Sequence, residues 1–343
     1  MNSSLVFKLL IALSIGSLIV SCKKAKVEPY KPWGFNSPSY FPTPTYTFEN
    51  NKQTYQKFVL GRALFYETML SSDQTISCAT CHANTHGFAG HNTALSAGVS
   101  GLLGTRNSPS IANLAWSTSF MWDGGINHIE IMPVAPLTNP VEMNETFSSI
   151  ISKLQTSDKY KKLFMDAYGN EDITEQKILK ALTQFMMMII SDNSKYDRVR
   201  RGEDSFTAYE QEGYELFQQK CSQCHTEPLF TDHSFRNNGL EINAFNDEGR
   251  FLITQNEEDK GKFKVPSLRN VVMTYPYMHD GRFYTLSAVL DHYSSGVHQS
   301  ATLDPSLQSG IALTGAEKSR IIDFLKTLND YELTSSSWLA EPK

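Results

Sequence analysis

Four of the chain's five cysteines fall into two copies of one pattern, Cys78-Ala79-Thr80-Cys81-His82 and Cys221-Ser222-Gln223-Cys224-His225. Two thiols three positions apart on one helical turn can each add to a haem vinyl group, and the adjacent histidine then reaches the iron as proximal ligand. Two such motifs imply two covalently bound c-type haems. Cys78, Cys81, Cys221 and Cys224 are the attachment points, and His82 and His225 the axial ligands. A zinc site leaves both histidines unexplained and must join pairs far apart in the chain, whereas structural zinc modules pair theirs closely. A thioredoxin-like redox disulfide belongs on a βαβ pattern that is missing here.

The elements that position these motifs repeat. Apolar residues recur at helical spacing over Tyr55 to Met69 and again over Ala208 to Gln219, so each motif follows a helix. Downstream, Arg106-Asn107-Ser108-Pro109-Ser110 leads to Trp122-Asp123-Gly124, and Pro266-Ser267-Leu268-Arg269-Asn270 leads to His279-Asp280-Gly281. Between the halves, Thr146 to Gln155, Asp158 to Tyr168 and Thr174 to Ser191 read as helices, with Asp158 and Thr174 as N-caps. The run Phe185-Met186-Met187-Met188-Ile189-Ile190 is apolar all round and reads as buried core rather than as a source of haem ligands. A helix from Gly315 to Leu328 closes the second half. Strand signals are sparse. The expected fold is therefore mostly α, with two tandem cytochrome c-like haem domains at 51–200 and 201–343.

The N-terminus adds a destination. Lys8 precedes an apolar run, Leu9 to Val20, which is shorter than the roughly 20 residues a spanning helix needs and reads as an export signal over 1–21. Leu18-Ile19-Val20-Ser21-Cys22 resembles a bacterial lipobox, which implies acylation of Cys22. The expectation is a periplasmic protein tethered to the outer membrane as a lipoprotein, touching the membrane only through that anchor. Residues 22–50, rich in proline and aromatics, read as an extended tether. A net charge of −5 without a basic block argues against nucleic acid as partner.

Taken together, the haem motifs, Arg106-Asn107-x-Pro, Phe120-Met121-Trp122-Asp123-Gly124, Asn139-Pro140-Val141-Glu142-Met143, Phe263-Lys264-Val265-Pro266-Ser267-Leu268-Arg269-Asn270 and Tyr275-Pro276-Tyr277-Met278-His279-Asp280-Gly281 resemble the bacterial dihaem cytochrome c peroxidases and their MauG-like relatives, from about Gln56 onward. The resemblance implies an enzyme that reduces hydrogen peroxide to water. The N-terminal haem would bind peroxide and the C-terminal haem would take electrons from a small periplasmic donor protein. It casts Glu142 as the distal carboxylate that moves a proton between the peroxide oxygens, and Trp122 as the aromatic between the haems. It also implies a calcium ion held by oxygens of Asn107, Thr274 and Pro276, and leaves room for a homodimer.

Three departures from the family pattern bear on mechanism. Gly98-Val99-Ser100 stands where the family's displaceable distal histidine lies; His86 and His91, with a slight preference for His91, are substitute ligands or else loop or propionate contacts, and if neither binds the iron is five-coordinate from the start. Met132 replaces a distal glutamine ten residues before Glu142. Tyr293 stands where electron-accepting members place a methionine, and MauG-like proteins ligate iron through tyrosine there. Met278, His292 and His298 are substitutes, while His279 reads as structural or as a propionate contact. The alternative functions are thus a MauG-like peroxide-dependent oxidase and a non-catalytic dihaem electron carrier, against which Glu142 and Trp122 argue.

Overall fold

The computed structural model describes residues 34–343; the signal segment, Cys22 and the start of the tether lie outside the described residues. The helices run in chain order as α1 (Tyr55–Phe65), α2 (Cys78–Cys81), α3 (Val134–Thr138), α4 (Phe147–Gln155), α5 (Asp158–Tyr168), α6 (Glu175–Met186), α7 (Lys195–Arg200), α8 (Ala208–Lys220), α9 (Phe251–Thr254), α10 (Leu286–Asp291), α11 (Gly315–Lys326) and α12 (Tyr331–Thr334). Among the described residues the sheet is one antiparallel ribbon, β1 (Phe235–Arg236) against β2 (Phe263–Lys264). The protein is mostly helical, as expected. No described helix is long and apolar enough to cross a membrane.

Polar caps start the long helices. Thr54, Thr146 and Thr174 each accept a backbone N–H of the first turn, and Thr207 and Thr314 form capping boxes with Glu210 and Glu317. Asp158, expected as a cap, is instead the first residue of α5 behind Ser157, where its charge suits the helix N-terminus. Helix α6 stops at Met186 rather than Ser191. The Asn113 side chain takes both backbone groups of Ser191, donating to its carbonyl (3.1 Å) and accepting from its N–H (2.9 Å), which ties the following segment to another part of the chain. Phe185, Met186, Met187 and Ile189 are buried core, and none of them lines the cavity described below.

The same helix crossing is built twice. Where α1 meets α6, a Cβ on Gly61 would lie 1.9 Å from the Ala181 carbonyl oxygen and 3.1 Å from Phe185 Cβ. Where α8 meets α11, a Cβ on Gly213 would lie 1.9 Å from the Arg320 oxygen and 3.0 Å from Phe324 Cβ. Glycine is required at both crossings because the backbones touch. Around Phe324, the buried rings of Tyr196, Phe217 and Phe230 form the second half's core, each contributing ~1.5–3 kcal/mol by burial.

Both ends of the described chain pack on the first half. Residues 34–50, expected as an extended tether, are docked: Phe35 and Phe41 pack on Trp116, whose indole donates to the Pro42 carbonyl at 2.7 Å. Tyr40 reaches Asp197 at 2.7 Å, and Asp197 is itself held by a buried two-point ion pair with Arg269. At the other end, Trp338 stacks on Phe58 with ring centroids 4.6 Å apart. Residues 34–343 accordingly form one compact unit.

Candidate active site

Both cysteine motifs open onto one continuous cavity of about 1190 Å³, lined by Cys81, His82, Cys221, Cys224 and His225 among others. That is larger than the roughly 300–1,000 Å³ of an ordinary small-ligand pocket. Cys78 is not among the lining residues but shares the single turn of α2 with Cys81. All four cysteines are free of disulfides. Burial pushes the Cys78 and Cys221 thiols up to about 12 and raises those of Cys81 and Cys224.

The two histidines are posed identically. His82 Nδ1 lies 3.2 Å from the Phe88 carbonyl and His225 Nδ1 lies 3.1 Å from the Phe230 carbonyl. Burial lowers both pKa values, so the rings are neutral. A neutral imidazole donating through Nδ1 keeps its Nε2 lone pair for a metal. Size, paired thiols and oriented imidazoles all fit a c-type haem at each motif.

Beyond these shared parts the halves diverge. On the first, Glu142 lines the cavity, and its charge reaches Cys78 and Cys81. Asn139 Nδ2 donates to Glu142 Oε1 at 2.6 Å, and burial raises the carboxyl's pKa despite that bond. The Glu142 turn is braced from behind: Val99 N–H donates to the Glu142 carbonyl at 2.8 Å, and a Cβ on Gly98 would lie 2.2 Å from the Val141 oxygen. Met132 lines the same wall.

His91 does not reach this cavity. Its ring stacks on that of His86, centroids 4.8 Å apart, and neither is a lining residue. Val99, where the family would have its histidine, is buried behind the Glu142 turn.

On the second half, α10 runs into a π-helical turn, His292–Gly296, which brings Tyr293 to the cavity. Such turns are frequent at functional sites. Burial is the main cause that pushes the Tyr293 hydroxyl up to about 12, with Cys221 and Cys224 adding to it and a bond to the Asn238 side chain opposing it. Met278 also lines the cavity, its sulfur 3.4 Å from Asn238 Nδ2. His292 Nε2 is 3.0 Å from the Asn238 carbonyl, and His298 is exposed beside Glu241, so both are engaged elsewhere. His279 stacks flat on Phe263 at 3.7 Å, and burial lowers its pKa to about 4.

The halves meet at Trp122, whose indole donates to the Asn107 carbonyl at 2.8 Å while its own carbonyl accepts the Lys264 N–H at 2.7 Å. Asn107, Thr274 and Pro276 line the cavity too; Asn107 Nδ2 donates to the Ala94 carbonyl at 2.9 Å. Sequence reasoning missed the junction's charges. Arg106 spans Asp123 (2.5 Å) and Asp247 (2.6 Å), and only its place in the Arg-Asn motif hinted at a role. Asn139 is visible only as part of the Glu142 motif, with no role attached, and nothing in the sequence signals Asn238 or His233.

The family model described as di-haem cytochrome c peroxidase matches residues 55–205. The methylamine utilization protein MauG of Methylorubrum extorquens is 34% identical over 299 residues, 86% of this chain and 83% of that protein. The cytochrome c peroxidase Ccp of Escherichia coli is 37% identical over 246 residues, 68% of this chain and 52% of that protein. A solved MauG-like protein associated with microbial copper homeostasis superposes with a TM-score of 0.84 at 31% identity, covering 90% of this chain and 99% of that one. With paired Cys-x-x-Cys-His motifs on one cavity and a relative matched along most of its length, the chain belongs to the di-haem cytochrome c peroxidase and MauG family of peroxide-using oxidoreductases.

Proposed function

We propose that this peroxidase reduces hydrogen peroxide to two waters, consuming two protons and two electrons delivered by a small periplasmic donor protein. Haem held by Cys78, Cys81 and His82 would supply the iron at which peroxide binds, and haem held by Cys221, Cys224 and His225 the entry point for electrons. The tandem division at about residue 200 is read from the twice-built crossing of glycine-bearing helices.

The observation that carries this reading is Glu142, fixed by Asn139 on the wall of the cavity that His82 also lines. Its carboxylate takes a proton from the oxygen nearer the first motif and returns it to the farther oxygen, which leaves as water. Burial raises its pKa, which brings the protonated form closer and suits a group that must both take and return a proton. Met132 offers no hydrogen bond where the family has an amide, so Glu142 and solvent carry the proton traffic. Trp122, bonded to both halves, provides the aromatic path between them. Val99 is buried and His91 is outside the cavity, so neither position expected to supply a displaceable histidine stands in the way of peroxide. Activity without prior reduction is expected.

Tyr293 at the second motif favours a second reading, peroxide-driven oxidation of a protein or small molecule in the MauG manner, because a tyrosine ligand lowers the potential relative to methionine. Asn107, Thr274 and Pro276 are proposed as oxygen donors to calcium between the halves, and Cys22 as the lipid attachment that tethers the protein at the periplasmic side of the outer membrane.

The test is peroxide-dependent oxidation of a reduced small cytochrome by the haem-loaded protein, beside Glu142→Gln. Turnover that collapses in the variant supports the peroxidase. Absent turnover, with a long-lived spectral change on adding peroxide, supports the oxidase.

A further inference from the structure

Two basic groups on the cavity wall lack the acidic partner their surroundings call for. His233, in the segment leading into β1, has its Nε2 buried with no hydrogen-bond partner. Lys264, on β2, donates through Nζ to the Ser119 carbonyl at 2.7 Å and lies 5.9 Å from the Phe120 ring centre, with no carboxylate at ion-pair distance among the described residues. Asp123, whose charge Lys264 feels, is already taken by Arg106. The three arginines on the same wall are all matched: Arg106 to Asp123 and Asp247, Arg236 to Asp232 and Asp304, and Arg269 to Asp197.

The two groups also oppose each other. Burial depresses the pKa of both, Lys264 to about 8, and the Lys264 charge lowers that of His233 further. A buried cation beside an unsatisfied ring nitrogen is unfavourable unless an anion sits between them. The segments that carry them are tied through the backbone to one motif. Asp232 N–H donates to the Cys224 carbonyl at 2.9 Å, which ties the His233 segment to that cysteine. Thr231 Oγ1 donates to the Val265 carbonyl at 2.6 Å and Val265 N–H to the Ser234 carbonyl at 2.9 Å, which brings the Lys264 strand alongside.

We propose that His233 and Lys264 form a carboxylate clamp for one propionate of the haem at Cys221 and Cys224, an inference that rests on haem attachment there. The haem brings the missing anion. Because the Lys264 N–H also holds the Trp122 carbonyl, the clamp fixes that haem's propionate edge to the element joining the halves.

The experiment uses the haem-loaded protein with Lys264→Met, Lys264→Arg and His233→Phe. Haem is counted per chain, midpoint potentials are measured by spectroelectrochemistry, and propionate vibrations are read in redox-difference infrared spectra with ¹³C-labelled carboxylates. The expected result for Lys264→Met is two haems retained, altered propionate bands, and a second-haem reduction equilibrium about tenfold less favourable, about 59 mV for one electron. Lys264→Arg should restore the potential and His233→Phe should move the same bands. Unchanged bands and potentials in both Lys264→Met and His233→Phe, or changes confined to the first haem, overturn the clamp. Wild-type protein lacking haem at Cys221 and Cys224 overturns the attachment and the clamp with it.

Discussion

The two motif-bearing halves share one scaffold and differ on the cavity wall. Each sets its motif after a helix that is crossed at a contact glycine, Gly61 or Gly213, and each orients its histidine on the carbonyl of a buried phenylalanine, Phe88 or Phe230. In the first half the cavity wall offers an ionisable carboxyl held by an amide; near Cys221 and Cys224 it offers a phenol and a thioether around one asparagine. On the proposed function, attachment falls to the repeated parts, and proton transfer and electron storage to loops that do not repeat. Variants on the unrepeated wall should change one half alone, whereas variants at repeated positions should harm both halves alike.

The largest contrast is expected from Glu142→Gln, which removes the proton carrier but keeps the bond to Asn139 sterically satisfiable. Turnover with peroxide should fall by roughly 10²–10⁴-fold, with haem content and the second haem's spectrum unchanged. A loss below tenfold would sink the assignment of proton transfer to the first wall.

Next in size is Tyr293→Met, expected to raise the potential of the second haem and leave the first haem's peroxide reaction in place. Redox titration followed at each haem's absorption reads it. An unmoved second potential would show that the phenol is not an iron ligand.

The repeated positions make the symmetric test. Gly61→Ala and Gly213→Ala should each cost about 1–3 kcal/mol, since the added methyl meets a carbonyl oxygen that can yield only by separating two helices. Chemical denaturation of the haem-loaded proteins measures both. A penalty at one glycine alone would break the equivalence of the crossings.

The smallest effect is a shift in pH profile. Burial raises the Glu142 pKa, and the carboxylate is the form that accepts the first proton, so the rate should fall as pH drops through that raised value. The Asn139 bond stabilises the carboxylate and holds the value down. Asn139→Leu should therefore move the acid limb to higher pH, and the limb should vanish in Glu142→Gln. A limb that Asn139→Leu leaves in place would mean another group titrates.

Much of this contrast was legible in the sequence. The attachment residues follow from motif chemistry, the helices from their apolar period, and Glu142, Trp122 and Tyr293 from their places in family motifs. The rest depends on partners distant in the chain. Helix α6 ends early because Asn113 captures Ser191, 78 residues away. Phe35 and Phe41 dock because Trp116 offers a matching surface. His91 faces His86 instead of the cavity, since proximity to a motif in sequence does not set the side a loop faces. The unpaired Lys264 ammonium and the unpartnered His233 ring nitrogen emerge only once burial and the neighbouring ion pairs are known.

The most direct test of the central claim mixes the fully oxidised, haem-loaded protein with hydrogen peroxide in a stopped-flow spectrometer, with Glu142→Gln and Tyr293→Phe in parallel. Rapid reaction of the wild type without prior reduction, lost in Glu142→Gln and kept in Tyr293→Phe, is the predicted result. Reaction only after partial reduction, or equal loss in both variants, would contradict the division of labour between the two walls.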